Sequence, residues 1–81
     1  MATRKNAEDI SVSSICIQVG RRIAEFRQAK GWSQRMLADH AQIEQAHLAR
    51  LELGQKEAGL LMLEKIADAL EVSLSDLLKG L

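Results

Sequence analysis

The chain has 81 residues, 47% of them apolar, which is enough for one compact domain and leaves no room for a second, ligand-sensing one. Eleven basic residues balance eleven acidic ones, which taken alone argues against a nucleic-acid binder, and 2% aromatic residues exclude a stacking platform for single strands. A single cysteine excludes an internal disulfide and a Cys-based zinc site. No signal peptide or membrane-length apolar run is present, which predicts a cytoplasmic location.

The charges are unevenly distributed along the chain. Residues 21–56 carry seven basic and four acidic side chains, net +3, whereas residues 57–81 carry two basic and five acidic ones, net −3. We therefore expect an anionic partner to approach the middle of the sequence. The alternative is an ordinary mixed surface.

The first helix is the least certain element. Residues 1–9 are polar and mixed in charge, and a mobile tail is expected over residues 1–13. Residues 10–19 alternate as a strand would, yet Ile15, Val19, Ile23 and Phe26 also form one stripe of a helix. Because the stripe continues, we favour a helix over residues 14–29, ended by a glycine. The folded domain then spans residues 14–81.

Two short helices separated by a tight turn come next. Ser33 is a suitable N-cap for the second helix, and Leu37, Ala38 and Ala41 mark its inward side. The third helix is predicted over residues 44–53, with its inward leucines at Leu48 and Leu51 and a glycine at its end. Two alanines on the second helix allow the pair to cross closely at a steep angle.

Two further helices complete an all-α architecture. The fourth is predicted over residues 60–70, after the loop GQKEAG. Ser73 and Asp76 form a capping-box pattern for a short fifth helix. The fold class is therefore all-α, with five helices.

The outer face of the third helix carries the residues most suited to DNA. Gln45, Ala46, His47 and Arg50 lie on it. Glutamine pairs with adenine N6 and N7, arginine with guanine O6 and N7, and alanine packs against a thymine methyl group. The plain alternative is a solvated polar face without a ligand.

At this point a resemblance becomes specific. The segments GRRIAEFRQAKGWSQ, the Leu37–Ala38 pair, RLELG and LEKIADALEVSLSDLL together resemble the Cro/C1-type helix-turn-helix family, also called the XRE family, over residues 20–78. The resemblance implies a compact, lambda-repressor-like five-helix domain with the third helix as recognition helix. It also implies sequence-specific binding of double-stranded DNA as a transcriptional regulator, with repression favoured.

The resemblance also implies roles for individual residues. The base-reading residues are Gln45, Ala46 and Arg50; the residues near phosphates are Gln34, Arg35, His47, Gln55 and Lys56. Arg27 and Glu52 match a structural ion pair of the family, so Arg27 is not expected to contact DNA.

The sequence departs from the family pattern at three positions. Gln42 stands where the turn usually has glycine, and a left-handed backbone there would cost on the order of 1 kcal/mol. Glu44 replaces the usual serine or threonine at the start of the recognition helix, and Ala58 replaces a proline after it. The first two departures lie at the end expected to meet DNA.

The C-terminal half is predicted to form a homodimer. Four consecutive apolar residues, 60–63, cannot all face one core, so Leu61 and Met62 are expected to point outward. The predicted interface comprises Leu61, Met62, Leu74, Leu78 and Leu81. In the alternative, Leu60 and Leu61 cover the GQKEAG loop of a monomer.

Other chemistry receives little support from the sequence. Two histidines seven residues apart lack partners at ligand spacing, and no catalytic triad or phosphate-binding glycine loop occurs, so we expect no metal, no cofactor and no catalysis. The expected partners are a palindromic duplex and a second copy of the chain; an antirepressor or a toxin protein is conceivable but unspecified. The competing hypothesis is a helix-turn-helix protein-interaction module that does not bind DNA.

Overall fold

The computed structural model describes the backbone of residues 2–81 and the side chains of residues 14–81. Within that range it contains five helices and no strand, which confirms the predicted fold class. The helices are α1 (Ala2–Ala29), α2 (Gln34–Ala41), α3 (Gln45–Glu52), α4 (Leu60–Leu70) and α5 (Leu74–Leu77).

The first helix begins earlier than the sequence predicts. It starts at Ala2 rather than near Ser14, so residues 10–19 are helical and the strand alternative is wrong. Neither proline nor glycine interrupts residues 2–19, and most of them are tolerated in a helix. The mobility expected of residues 1–13 stays a prediction, and their side chains lie outside the described residues.

A single core joins all five helices. It contains one residue of α1, three of α2, two of α3, four of α4 and one of α5: Ile23, Leu37, Ala38, Ala41, Leu48, Leu51, Leu63, Ile66, Ala67, Leu70 and Leu77. The stripe predicted on α1 is only partly correct. Val19 and Phe26 pack against the core, but Ile15 is 56% exposed, because the other helices do not cover that part of α1.

Two glycines allow α1 to approach the end of α3. A Cβ atom on Gly20 would collide with the carbonyl oxygen of Leu51 and lie 2.6 Å from that of Glu52. A Cβ on Gly54 would lie 2.7 Å from the side chain of Ile17, and the φ of Gly54 is +74°. The backbones of these two segments are therefore in direct contact, which fixes the position of α3.

Helix α1 also holds the C-terminal end of α5. The Nε atom of Arg22 donates to the carbonyl oxygen of Leu77 at 3.1 Å, and a second guanidinium nitrogen donates to that of Asp76. Cations stabilise helix C-termini, where carbonyl groups lack intrahelical partners. The guanidinium also lies 5.0 Å from the centre of the Phe26 ring.

Candidate DNA interface

Helices α2 and α3 form two eight-residue segments joined by a sharp turn. Ser33 caps α2 by accepting a hydrogen bond from the amide of Met36 at 3.1 Å, as its position in the sequence predicts. Gln42 adopts the left-handed conformation, with φ 59° and ψ 47°, so the strain considered for a non-glycine residue in this turn applies. Glu44 is the N-cap of α3, and its side chain makes no capping hydrogen bond. The buried Ala38 and Ala41 lie on the inner side of α2.

The outer face of α3 is exposed and polar. Leu48 and Leu51 are buried on the inner side, whereas Gln45, Ala46 and Arg50 are exposed on the outer side. His47 is half-buried at the margin of this face. The helix therefore presents an amide, a methyl group and a guanidinium together, which are the groups that read major-groove edges of adenine, thymine and guanine.

A nearly buried ion pair anchors the back of α3. Arg27 binds Glu52 with two hydrogen bonds: Nε donates to Oε2 at 2.8 Å and a terminal nitrogen donates to Oε1 at 3.0 Å. The two side chains are 12% and 5% exposed. A further guanidinium nitrogen donates to the carbonyl oxygen of Trp32 at 2.7 Å. All three donor groups of Arg27 thus have acceptors inside the domain, so none is directed at a DNA ligand.

Gln34 extends this network in a way that the sequence did not indicate. Its amide nitrogen donates to Oε1 of Glu52 at 2.9 Å, so it links the first turn of α2 to the last turn of α3. A phosphate contact was predicted for this residue and stays a prediction. Gln34 is the first residue of α2, and it remains partly accessible.

The cations and amides predicted to lie near phosphates are on the surface around α3. Arg35 is exposed on α2, and Gln55 and Lys56 are exposed in the loop that follows α3. None of the three makes a side-chain hydrogen bond or ion pair within residues 14–81. Their roles toward DNA stay predictions, and nothing in the structure obstructs them.

The end of α3 carries a residue that the sequence analysis did not single out. Leu53 is the C-cap of the helix and is 64% exposed. The helix ends in paired hydrogen bonds, from the amide of Gly54 to the carbonyl of Leu51 at 3.1 Å and from the amide of Gln55 to that of Arg50 at 3.0 Å. The RLELG sequence indicates this glycine-terminated ending, but not the direction of the leucine.

A second cluster lies where α1, α2 and α4 meet. The rings of Trp32 and His40 stack with their centres 4.2 Å apart, and Lys30 lies 4.9 Å from the centre of the Trp32 ring. Lys30 also pairs with Glu71 at 2.9 Å, and this hydrogen bond and positive charge lower the pKa of the Glu71 carboxyl below its ordinary value. Although His40 is exposed, its ring lies on that of Trp32.

The residues predicted to form a dimer interface divide into two groups. Leu61 and Leu81 are 77% and 50% exposed, so they are available for contact. Met62, Leu74 and Leu78 are half-buried and pack against the core. The outward direction predicted for Met62 is therefore wrong, because it faces the core of its own domain while Leu60, 72% exposed, lies outside.

An apolar cleft of about 250 Å³ adjoins these leucines. Its wall includes residues from α1, α4 and the C-terminus: Ile15, Cys16, Val19, Leu63, Leu78 and Leu81. Cys16 is half-buried there, as a small apolar residue would be.

The two-helix unit, its left-handed turn and the exposed polar face of α3 define a helix-turn-helix domain. The sequence over residues 23–77 matches the helix-turn-helix family HTH_3, and the chain belongs to that family. Membership confirms the resemblance to Cro/C1-type regulators.

A protein of similar sequence is a transcriptional regulator. An HTH-type transcriptional regulator derived from the SPbeta prophage of Bacillus subtilis, YonR, is 38% identical over 61 residues, which are 75% of this chain and 56% of YonR. The chain thus spans little more than half the length of that relative.

Two solved structures have similar folds. The restriction-modification controller protein C.AhdI of Aeromonas hydrophila superposes with a TM-score of 0.75 at 32% identity, over 76% of this chain and 94% of that one. The clp gene regulator ClgR of Corynebacterium glutamicum superposes with a TM-score of 0.76 at 31% identity, over 79% and 83%. The family is a helix-turn-helix family, and these relatives are named as regulators or controller proteins rather than enzymes.

Two observations concern only the residues that the structure describes. No helix among them combines the length and the apolar character that a membrane span requires. No group of three or more metal-ligating side chains occurs among them either.

Proposed function

We propose that this protein is a transcriptional repressor that binds a palindromic duplex as a homodimer, with α3 of each copy in the major groove. The observation that carries the proposal is the exposed row of Gln45, Ala46 and Arg50 on a helix whose opposite side is fixed in the core. A rigid helix presenting these groups suits base reading, which requires donors at fixed positions.

In this proposal, different residues contact the bases and the phosphates. Arg50 pairs with a guanine, Gln45 with an adenine, and Ala46 packs on the groove edge. Gln34, Arg35, His47, Gln55 and Lys56 lie around that helix and contact phosphates, which sets affinity and register without reading sequence. Glu44, an exposed carboxylate at the start of α3, accepts a hydrogen bond from cytosine N4 or lowers affinity by repelling phosphates.

Selection from random duplexes, followed by fluorescence anisotropy at several salt concentrations, tests this division of roles. Arg50→Ala should weaken the selected site by about 1–3 kcal/mol and relax the preference at one base pair. Lys56→Ala should weaken all duplexes alike and reduce the slope of log affinity against log salt by about one. Lys65→Ala, an exposed lysine on α4, is the matched control and should bind like wild type.

Equal losses on selected and random duplex for Arg50→Ala would remove that residue from base reading. Absence of any salt-sensitive binding to duplex would refute the proposal and favour the protein-interaction module. The acidic C-terminal third of the chain is the feature that such a module would use.

The dimer is proposed from the apolar surface of the C-terminal half. Leu60, Leu61 and Leu81 are at least half exposed, and Leu81 lines the cleft between α1 and α4. Exposed apolar patches of this kind mark contact surfaces, and two recognition helices about 34–36 Å apart read the two halves of a palindrome. Because both Leu60 and Leu61 are exposed, they do not cover the loop of a monomer.

Sedimentation equilibrium at micromolar concentration tests the dimer. We expect twice the chain mass of 9.0 kDa for wild type. Leu61→Glu should give the monomer and lower DNA affinity, whereas Met36→Glu, at an exposed methionine on α2, should leave the dimer intact. A wild-type monomer, or a dimer that survives Leu61→Glu and Leu78→Glu, would contradict this interface.

Repression is proposed because a dimer bound to a palindrome blocks other proteins from that stretch of DNA. This effect requires no contact with a further protein. The site of action would be the cytoplasm. In-vitro transcription from a promoter that contains the selected site should fall as the protein is added; an increase would assign an activator instead.

A further inference from the structure

Leu53 is an exposed apolar residue next to the base-reading residues that the proposed contacts leave unused. It is 64% exposed at the C-cap of α3, although the two other leucines of that segment, Leu48 and Leu51, are fully or almost fully buried. Single exposed leucines are common on protein surfaces, so it is the position of Leu53 beside the base-reading residues, rather than its exposure alone, that points to a partner.

Leu53 lies on the same face of α3 as the base-reading residues. It follows Ala46 by seven positions, which brings it back to within about 20° around the helix axis and about 10 Å further along it. Ala49 lies between them on the adjacent row, four positions before Leu53. Ala46, Ala49 and Leu53 thus form an apolar line beside Arg50.

The structure holds this leucine outward. Its own amide donates to the carbonyl of Ala49 at 3.1 Å, and the next two amides are fixed by the hydrogen bonds that end the helix. Gly54 is pressed against Ile17 of α1, where a Cβ would have no room. The backbone therefore cannot rotate to turn Leu53 into the core without separating α3 from α1.

We propose that Leu53 contacts the 5-methyl group of a thymine at the end of the site that α3 reads. This inference rests on the proposed function, since it places Leu53 in the groove that Arg50 enters. A branched aliphatic side chain has no hydrogen-bonding group, and the thymine methyl is the apolar group that the major groove displays. Leu53 is then a specificity residue for that base pair.

Replacement of thymine by deoxyuridine, one position at a time in the selected duplex, tests the contact because it removes only the methyl group. For wild type we expect, besides any penalty at the thymine that Ala46 contacts, one further position at the end of the site at which uracil weakens binding about four-fold, the value for one methyl group withdrawn from water. Leu53→Ala should bind the thymine and uracil duplexes equally at that further position and should melt like wild type. Leu60→Ala, another exposed leucine, should retain the four-fold difference.

The outcomes separate this inference from the proposed function. If Arg50→Ala weakens the site but Leu53→Ala retains every uracil penalty, Leu53 has no thymine partner and the inference is overturned. Equal weakening of thymine and uracil duplexes by Leu53→Ala, with the penalty retained, would assign the leucine to the deoxyribose backbone and also overturn it. If neither variant changes binding, α3 is not the DNA-reading element and the proposed function fails as well.

Discussion

Removal of the Glu52 carboxylate should destabilise the domain more than loss of any exposed charge. Glu52 accepts three hydrogen bonds, two from Arg27 and one from Gln34, and is 5% exposed. In Glu52→Ala the guanidinium of Arg27 keeps the Trp32 carbonyl but loses its counter-ion while 12% exposed. Breaking a buried pair in this way costs roughly 3–5 kcal/mol.

That loss is large for a chain of this size. At 0.05–0.15 kcal/mol per residue, a domain of this length is stable by roughly 4–12 kcal/mol. Each kcal/mol moves the melting temperature of such a domain by about 4–8 °C, so Glu52→Ala should lower it by at least about 12 °C. Circular dichroism at 222 nm, with heat and with urea at one fixed protein concentration, measures both quantities.

Two variants show whether the stranded charge causes the loss of stability in Glu52→Ala. Glu64→Ala removes an exposed glutamate of α4 and should change the melting temperature little. Arg27→Met combined with Glu52→Leu removes both charges and should recover most of the stability, because the penalty comes from the stranded charge. If Glu52→Ala melted within about 2 °C of wild type yet failed to bind duplex, the pair would belong to the interface and the structural role would be refuted.

Three further outcomes are expected from the same denaturation experiments. Gln42→Gly should stabilise the domain by about 1 kcal/mol, since it removes the left-handed strain at an exposed side chain, and an unchanged stability would show that this turn is unstrained. Gly20→Ala should destabilise strongly because its Cβ meets the carbonyls at the end of α3, whereas Gly59→Ala, with open space around it, should not; equal effects would contradict the close packing. Lys30 lowers the pKa of the Glu71 carboxyl from its ordinary value of 4.5. Their pairing therefore stabilises the folded state above about pH 4.5, and this stabilisation is lost as the pH falls through the lowered pKa. Lys30→Met should therefore lose part of the acid dependence of stability below about pH 5, and an unchanged dependence would exclude the pair as its source.

Local signals in the sequence predict most of the helix boundaries. Ser33 and Ser73 cap α2 and α5 as their positions indicate, because a short hydroxyl before an apolar run satisfies the free amides of a first turn. The start of α1 has no comparable signal in the sequence, since its first turn holds no acidic residue. Periodicity alone therefore assigned its start to Ser14.

Long-range contacts required either a resemblance or the structure. Arg27 and Glu52 are 25 residues apart, and no local rule joins them; family resemblance predicted the pair. Gln34 has the same acceptor, but its amide fits several partners equally well, so its place in the network could not be inferred. Apolar periodicity likewise does not show how far neighbouring helices extend, which is why Ile15 was expected in the core.

The direction of a side chain at a helix end depends on the hydrogen bonds and contacts that end the helix. Leu53 continues an apolar pattern and looks like a core residue by composition. Only the hydrogen bonds of Gly54 and Gln55, with the contact between Gly54 and Ile17, fix it on the outer face. The same reasoning corrects Met62, whose helix turns it toward the core and leaves Leu60 exposed.

An NMR titration of the nitrogen-15-labelled protein with a selected duplex tests most directly whether α3 reads DNA. We predict that the largest amide shifts fall on Gln45, Ala46 and Arg50, with smaller ones in the loop at Gln55 and Lys56, and that added salt reduces all of them together. Shifts confined to α4 and α5, or no shifts at low salt, would contradict the assignment of α3 as the recognition helix.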